Sequence, residues 1–274
     1  MIRLFSIVPT LTLLIFSSGL LGGCIISSDV DDFEIKLPDK SFHFDTGQVS
    51  PPTVLIMPQA CVSSPQDTCA TVSADLFCNS DGDCEVVDPT VLPDIPCSVD
   101  VDCSDLFGEG FTCNQTDAAC QATVGFELST PVNLADEVPE LQDVGSSQFT
   151  KVRFSYVRMI VEENTFTLPT PEVELFIAPE TVATLWVPNS DPPAIDPDVW
   201  PVGVVDSIAA ATSGHTVEVV LDPTGDAALT EYCRTPSVTF KFFVYSEMTF
   251  RAGDPIPEGA LTLRIDAAAV VGLN

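Results

Sequence analysis

Basic side chains are scarce in this chain: ten Lys and Arg stand against 40 Asp and Glu, a formal charge of −30 at pH 7. The shortage is deepest early. Residues 25–150 hold 23 acids with only Lys36 and Lys40 as bases, whereas residues 151–274 hold 17 acids and seven bases. An excess of this sign repels phosphate backbones and anionic headgroups, so it argues against nucleic acid and against direct adsorption to acidic lipid. It favours solubility, cations or a basic partner. Histidine is scarcer still, and neither His43 nor His215 lies in an H-E-x-x-H pattern; the chain also lacks a G-x-S-x-G elbow and a G-x-x-x-x-G-K-[ST] loop. A hydrolase needs a nucleophile, a base and an orienting group together, and no carboxylate pair is singled out for glycoside chemistry. The expectation is that the protein is not an enzyme. Tryptophan is limited to Trp186 and Trp200, both beside proline turns, so an aromatic platform for sugar rings is thinly supplied. Disorder is excluded by 45% hydrophobic residues and a mean hydropathy of +0.29. Beyond the first residues, no stretch approaches the roughly 18 apolar residues of a spanning helix.

The apolar start has its own form. Arg3 is a sparse basic region, Leu11, Leu13, Leu14, Ile15 and Phe16 follow, and the run ends in small residues at Leu21-Gly22-Gly23-Cys24. That is the layout of a secretory signal. The last four residues resemble the lipobox of bacterial lipoproteins. The resemblance implies that residues 1–23 leave as a signal peptide and that Cys24 carries lipid. Residues 24–32 are then an acidic tether, and the chain is anchored to a membrane rather than threaded through it. By the lipoprotein sorting rule, Ile25 in place of Asp after the cysteine implies export to the outer membrane, on its periplasmic or surface face.

Ten cysteines behind an export signal point to disulfides. Setting Cys24 aside leaves nine. Eight cluster as Cys61, Cys69, Cys78, Cys84, Cys97, Cys103, Cys113 and Cys120, and eight allow 105 connectivities, so none is assigned. Cys233 stands apart and reads as a buried free thiol, with a bridge to the cluster or to another chain as alternatives. Spacings of C-x5-C or longer, rather than C-x2-4-C, favour disulfides over zinc. Two stretches echo one another, Cys78 to Cys84 and Cys97 to Cys103, each ending in Asp-x-Asp-Cys. The second, continuing through Gly108, Gly110, Phe111, Cys113 and Cys120, resembles the C-x-x-D-x-D-C modules of dickkopf-type domains. Asp81, Asp83 and Glu85, with Asp100, Asp102 and Asp105, bring hard oxygen ligands close together, which offers a calcium site at Asp81, Asp83, Asp100 and Asp102. The EF-hand order fails, however, because Cys84 stands where glycine belongs. The favoured reading is that these acids solvate a disulfide-rich loop, and no other cofactor is expected.

Elsewhere the pattern has period 2. Phe33, Ile35 and Leu37 alternate with charges; Phe42 and Phe44 flank His43; residues 53–57 form a short apolar run. Later strands are expected at Val124 to Leu128, Val152 to Val161 with a bulge near Tyr156-Val157, and Val173 to Ile177. Others are expected at residues 182–187, at Val217 to Leu221, over 238–250 and at Leu261 to Ile265. A connector helix is expected over 222–233, capped by Asp222. Short strands with frequent turns predict a mainly β fold, an antiparallel β-sandwich that is immunoglobulin-like or jelly-roll-like with a small disulfide-rich insertion. The boundaries are 33–58 for the first strands, 59–121 for the insertion and 122–274 for the rest. Within that rest, Val161-Glu162-Glu163-Asn164-Thr165-Phe166 resembles late-embryogenesis-abundant domains of immunoglobulin type, and the chain outside the lipobox and the insertion resembles immunoglobulin-like β-sandwich lipoproteins. The expected role is non-catalytic binding or structural work at the cell envelope, with a protein or glycan partner. Alternatives are a calcium-dependent or carbohydrate-binding module, and an envelope hydrolase whose site the motifs do not reveal.

Overall fold

The computed structural model describes residues 33–46, 57–62, 67–88, 90–107, 111–138, 141, 149–188, 190, 193–256 and 258–273. In chain order the strands are β1 (Phe33–Lys36), β2 (Lys40–Asp45), β3 (Met57–Ala60), β4 (Leu76–Cys78), β5 (Asp83–Val86), β6 (Phe111–Asn114), β7 (Ala119–Val132), β8 (Phe149–Asn164), β9 (Val173–Pro179), β10 (Trp200–Val205), β11 (His215–Glu218), β12 (Val220–Leu221), β13 (Phe240–Phe250) and β14 (Ala260–Leu273). The helices are α1 (Asp100–Phe107), α2 (Leu134–Glu137) and α3 (Thr224–Arg234). Two large antiparallel sheets pack face to face. Sheet A runs β1-β14-β8-β11, with β2 also on β14; sheet D runs β12-β10-β9-β13-β7-β6. The fold is the expected antiparallel β-sandwich with a disulfide-rich insertion.

Alternation decides which side chains meet between the sheets. On β13, Phe240, Phe242, Val244, Met248 and Phe250 turn inward and share one buried cluster with Met159, Val161, Leu263 and Ile265 of sheet A. Phe44 of sheet A stacks on Phe126 of sheet D at 4.2 Å, and Phe166 meets Phe44 edge-on at 5.7 Å. The parity change in β8 has a visible cause. Phe154 lies opposite Ala269 and Tyr156 opposite Ala268, which leaves Ser155 as the extra residue of a bulge.

Two expected strands take other forms. Residues 182–187 make a loop, in which Trp186 forms an isolated bridge with Ile195. Its Val182 and Leu185 pack with Val199 on Phe176, Ala178 and Phe243, forming a second small core on the outer face of sheet D. Burial rather than strand pairing used those apolar residues. The run Val217 to Leu221 splits at Val219, so that β11 pairs with β8 in sheet A and β12 pairs with β10 in sheet D. One short segment thus bridges both sheets at an edge. The connector helix α3 begins at Thr224, with Pro223 at its cap position, and the Asp222 carboxylate takes the Thr224 N–H at 2.8 Å.

Residues 53–56 lie outside the described residues, and from Met57 the chain belongs to a small third sheet, β3-β5-β4, rather than to the sandwich. The far end of the insertion has no sharp limit. β7 starts at Ala119, pairs with β6 there, and continues unbroken along β13 from Ala122 to Val132. Leu76, Cys84, Val86, Leu92, Ile95 and Cys120 share one buried cluster with Phe126, Val132 and Phe240. Backbone bonds from Leu92 to Asp254 and from Ile256 to Thr90 clamp the β13–β14 loop onto the same region.

Candidate functional site

The acidic, cysteine-rich region is built twice on one plan. Its disulfides are Cys61–Cys78 and Cys69–Cys84, then Cys97–Cys113 and Cys103–Cys120. In each half the first cysteine joins the third and the second joins the fourth. The third and fourth face each other across a hairpin, Cys78 opposite Cys84 and Cys113 opposite Cys120. The second cysteine comes from a preceding helical turn, a 3-10 turn at Cys69–Thr71 or α1. This pairing corrects the alignment suggested by the two Asp-x-Asp-Cys stretches. Cys78 to Cys84 closes the first half, whereas Cys97 to Cys103 opens the second.

Two polar residues repeat with the cysteines. Asn79 follows Cys78 and takes the Asp81 and Asp83 N–H groups, both at 3.0 Å; Asn114 follows Cys113 and takes those of Thr116 and Asp117. Each thus shapes a hairpin turn through an Asx bond. Asp67 accepts from the N–H of Cys78 at 2.9 Å, and Asp100 does the same for Cys113 at 2.9 Å. The Asp67 carboxyl is held below the usual carboxylate range, first by the Cys78 N–H and then by those of Cys69 and Ala70. Asp102 is likewise lowered by the N–H groups of Ser98 and Val99.

The aspartates singled out for calcium therefore divide between the halves, Asp81 and Asp83 in the first hairpin, Asp100 and Asp102 at the start of α1. Asp100 and Asp102 hold backbone N–H groups. Among the described residues, the sets of three or more His, Cys, Asp or Glu ligand atoms within 4.8 Å of one another are Cys61, Cys69, Cys78 and Cys97, Cys103, Cys113. Those sulfurs are bonded as disulfides. An open cleft of about 270 Å³ beside the second half is lined by Asp94, Asn114, Asp117, Gln121, Arg251 and Asp254.

Among the described residues Cys233 is the free cysteine, fully buried in α3, and burial pushes its thiol up to about 12. Cys24 lies outside the described residues. His43 on β2 and His215 on β11 occupy opposite edge strands of sheet A, with β14 and β8 between them, about 14 Å apart by strand spacing. His43 Nδ1 is 3.0 Å from the Thr262 hydroxyl.

Sequence reasoning missed a second polar group on the outer face of sheet D. Tyr245 lies opposite Glu127 on β7 and Glu174 on β9, and its hydroxyl donates to Glu247 at 2.7 Å. Trp186 stands edge-on to it at 5.3 Å. Glu127 also takes the Thr184 hydroxyl and the Leu185 N–H, which pins the loop over the second core. Glu174 has its proton affinity raised, by burial first and then by Glu172 and Glu247. The outward positions of three separate strands carry these groups, and only their pairing brings them together.

No protein-family model matches the chain, and no curated protein matches it. Among solved structures, one titled Desmodium yellow mottle tymovirus is similar over 56% of this chain and 88% of that one, at 10% identity and a TM-score of 0.22.

Proposed function

We propose that the protein is a lipid-anchored component of the bacterial cell envelope with a non-catalytic binding role. The observation that carries the reading is the lipobox ending at Cys24 and the short step from it to the fold. Residues 24–32 reach at most about 30 Å when extended, and β1 then enters sheet A at Phe33. Lipid on Cys24 holds the sandwich beside the bilayer, and Ile25 favours the outer membrane. Four disulfides in the described region fit an oxidising, exported setting. The acidic surface favours a protein or glycan partner over nucleic acid.

The test is the mass and location of the protein expressed with its own leader. The expected product partitions with membranes, lacks residues 1–23 and carries a diacylglyceryl group on Cys24, while Cys24→Ala accumulates unprocessed and unlipidated. A wild-type product that keeps residues 1–23, or is released without lipid, overturns the anchor.

A further inference from the structure

We propose that the outer face of the β4–β5 hairpin docks a basic, partly apolar segment of a partner protein. This names a surface and a partner class for the binding role above and rests on that reading.

Register fixes the face. Leu76 pairs with Val86, Phe77 with Glu85 and Cys78 with Cys84. Leu76, Cys84 and Val86 are buried, so Phe77 and Glu85 turn to the opposite side. One step along, the Val87 N–H donates to the Asp75 carbonyl at 2.8 Å, which sets Val87 on the Phe77 side and diagonal to it. Phe77 is 38% exposed and Val87 60% exposed. A single exposed apolar residue is ordinary, but two on one face of a short hairpin form a patch. The setting agrees: five of the nine exposed large apolar residues, among the described residues, are Val62, Phe77, Val87, Val99 and Val101 of the cysteine-rich region.

Charge selects the partner. Asp75 and Glu85 flank the apolar pair, and residues 41–150 contain no Lys or Arg. From outside that stretch, the β13–β14 loop contributes Arg251 to the cleft shared with Asp94. A partner offering Lys or Arg around apolar side chains complements such a face. Strand addition does not serve, because the free edge of β4 is occupied. The Cys78 N–H donates to Asp67 and the Leu76 N–H to the Ser73 carbonyl. Docking is therefore through side chains on the face.

The experiment uses the full-length protein in zwitterionic nanodiscs, with empty discs as the blank. The probes are an amphipathic Lys/Leu helical peptide and a Lys/Ser peptide of equal charge. The Lys/Leu peptide should bind more tightly, with an affinity that falls as salt rises. The double substitution Phe77→Ser with Val87→Ser should weaken it about tenfold and leave the Lys/Ser peptide unchanged. Glu85→Lys, a change on the outward side, should weaken both. Intact mass confirming four disulfides shows that each variant has folded. Equal affinity for the two peptides, or Lys/Leu binding indifferent to the double substitution, overturns the proposal. The two readings fail separately: an unlipidated Cys24 sinks the anchor while hairpin binding persists, and a lipidated protein with indifferent binding sinks only the hairpin.

Discussion

At the scale of single residues, two titrating groups report on how the fold treats them. Glu174 binds its proton more tightly in the folded chain than in the open one, because burial and the neighbouring Glu172 and Glu247 disfavour its charge. A group shifted upward favours the fold while protonated, and that contribution is lost as pH rises through its folded titration. Ionised Glu174 thus weighs against the fold at neutral pH. Glu174→Gln should raise the melting midpoint at neutral pH and leave it unchanged in acid, where both side chains are uncharged; a midpoint unmoved at neutral pH contradicts the burial argument. Cys233 gives a chemical test. Its thiol is raised to about 12, and the thiolate is the nucleophile, so alkylation of the native protein should leave it unmodified. In denaturant without reductant, intact mass should show one alkylated thiol. Modification in the native state would place Cys233 at the surface.

At the scale of elements, α3 shows how a helix can close a sheet edge. Thr230 takes the Val152 N–H at 3.0 Å and donates to the Asp226 carbonyl at 2.7 Å, while Asp226 takes the Phe154 N–H at 2.8 Å. These bonds satisfy a stretch of β8 that lies beyond the reach of β11. Thr230→Val keeps the shape and strands the Val152 N–H, so it should cost about 1–3 kcal/mol, read from denaturant melts. A loss well below that range would mean that water replaces the hydroxyl. Gly203 makes a comparable point in β10: a Cβ there would run into the Val220 carbonyl oxygen, so Gly203→Ala should force β12 away and lower the midpoint. Strands such as β13 and the bulge in β8 were legible because one buried face leaves period 2 and its phase in the sequence. The loop over residues 182–187 was not, since Val182 and Leu185 pack on a sheet face that only distant strands create. The Glu127, Glu174 and Tyr245 group was hidden for the same reason, as strand order is not written in any one strand. In the cysteine-rich region, Cys78-Asn79 and Cys113-Asn114 were the legible mark of the repeat, and the more conspicuous Asp-x-Asp-Cys pattern pointed to another alignment.

For the whole molecule, the question is whether the cysteine-rich region is an appendage or part of the sandwich. Cysteine count and acidity suggest an appendage held by its own bridges. Packing argues otherwise, because β7 carries one ladder from Cys120 into sheet D and the buried cluster runs without a break from Leu76 to Phe240. A shared core predicts shared unfolding. With all disulfides intact, the calorimetric and van't Hoff enthalpies of the full chain should agree within a single transition. Replacing Cys69 and Cys84 by alanine opens a link of sequence separation 15, a loss of about 3 kcal/mol on the loop-entropy scale. In one cooperative unit that loss lowers the common midpoint. In an appendage it would detach an early transition and leave the sandwich melting where it did before, and calorimetry of this one variant separates the two.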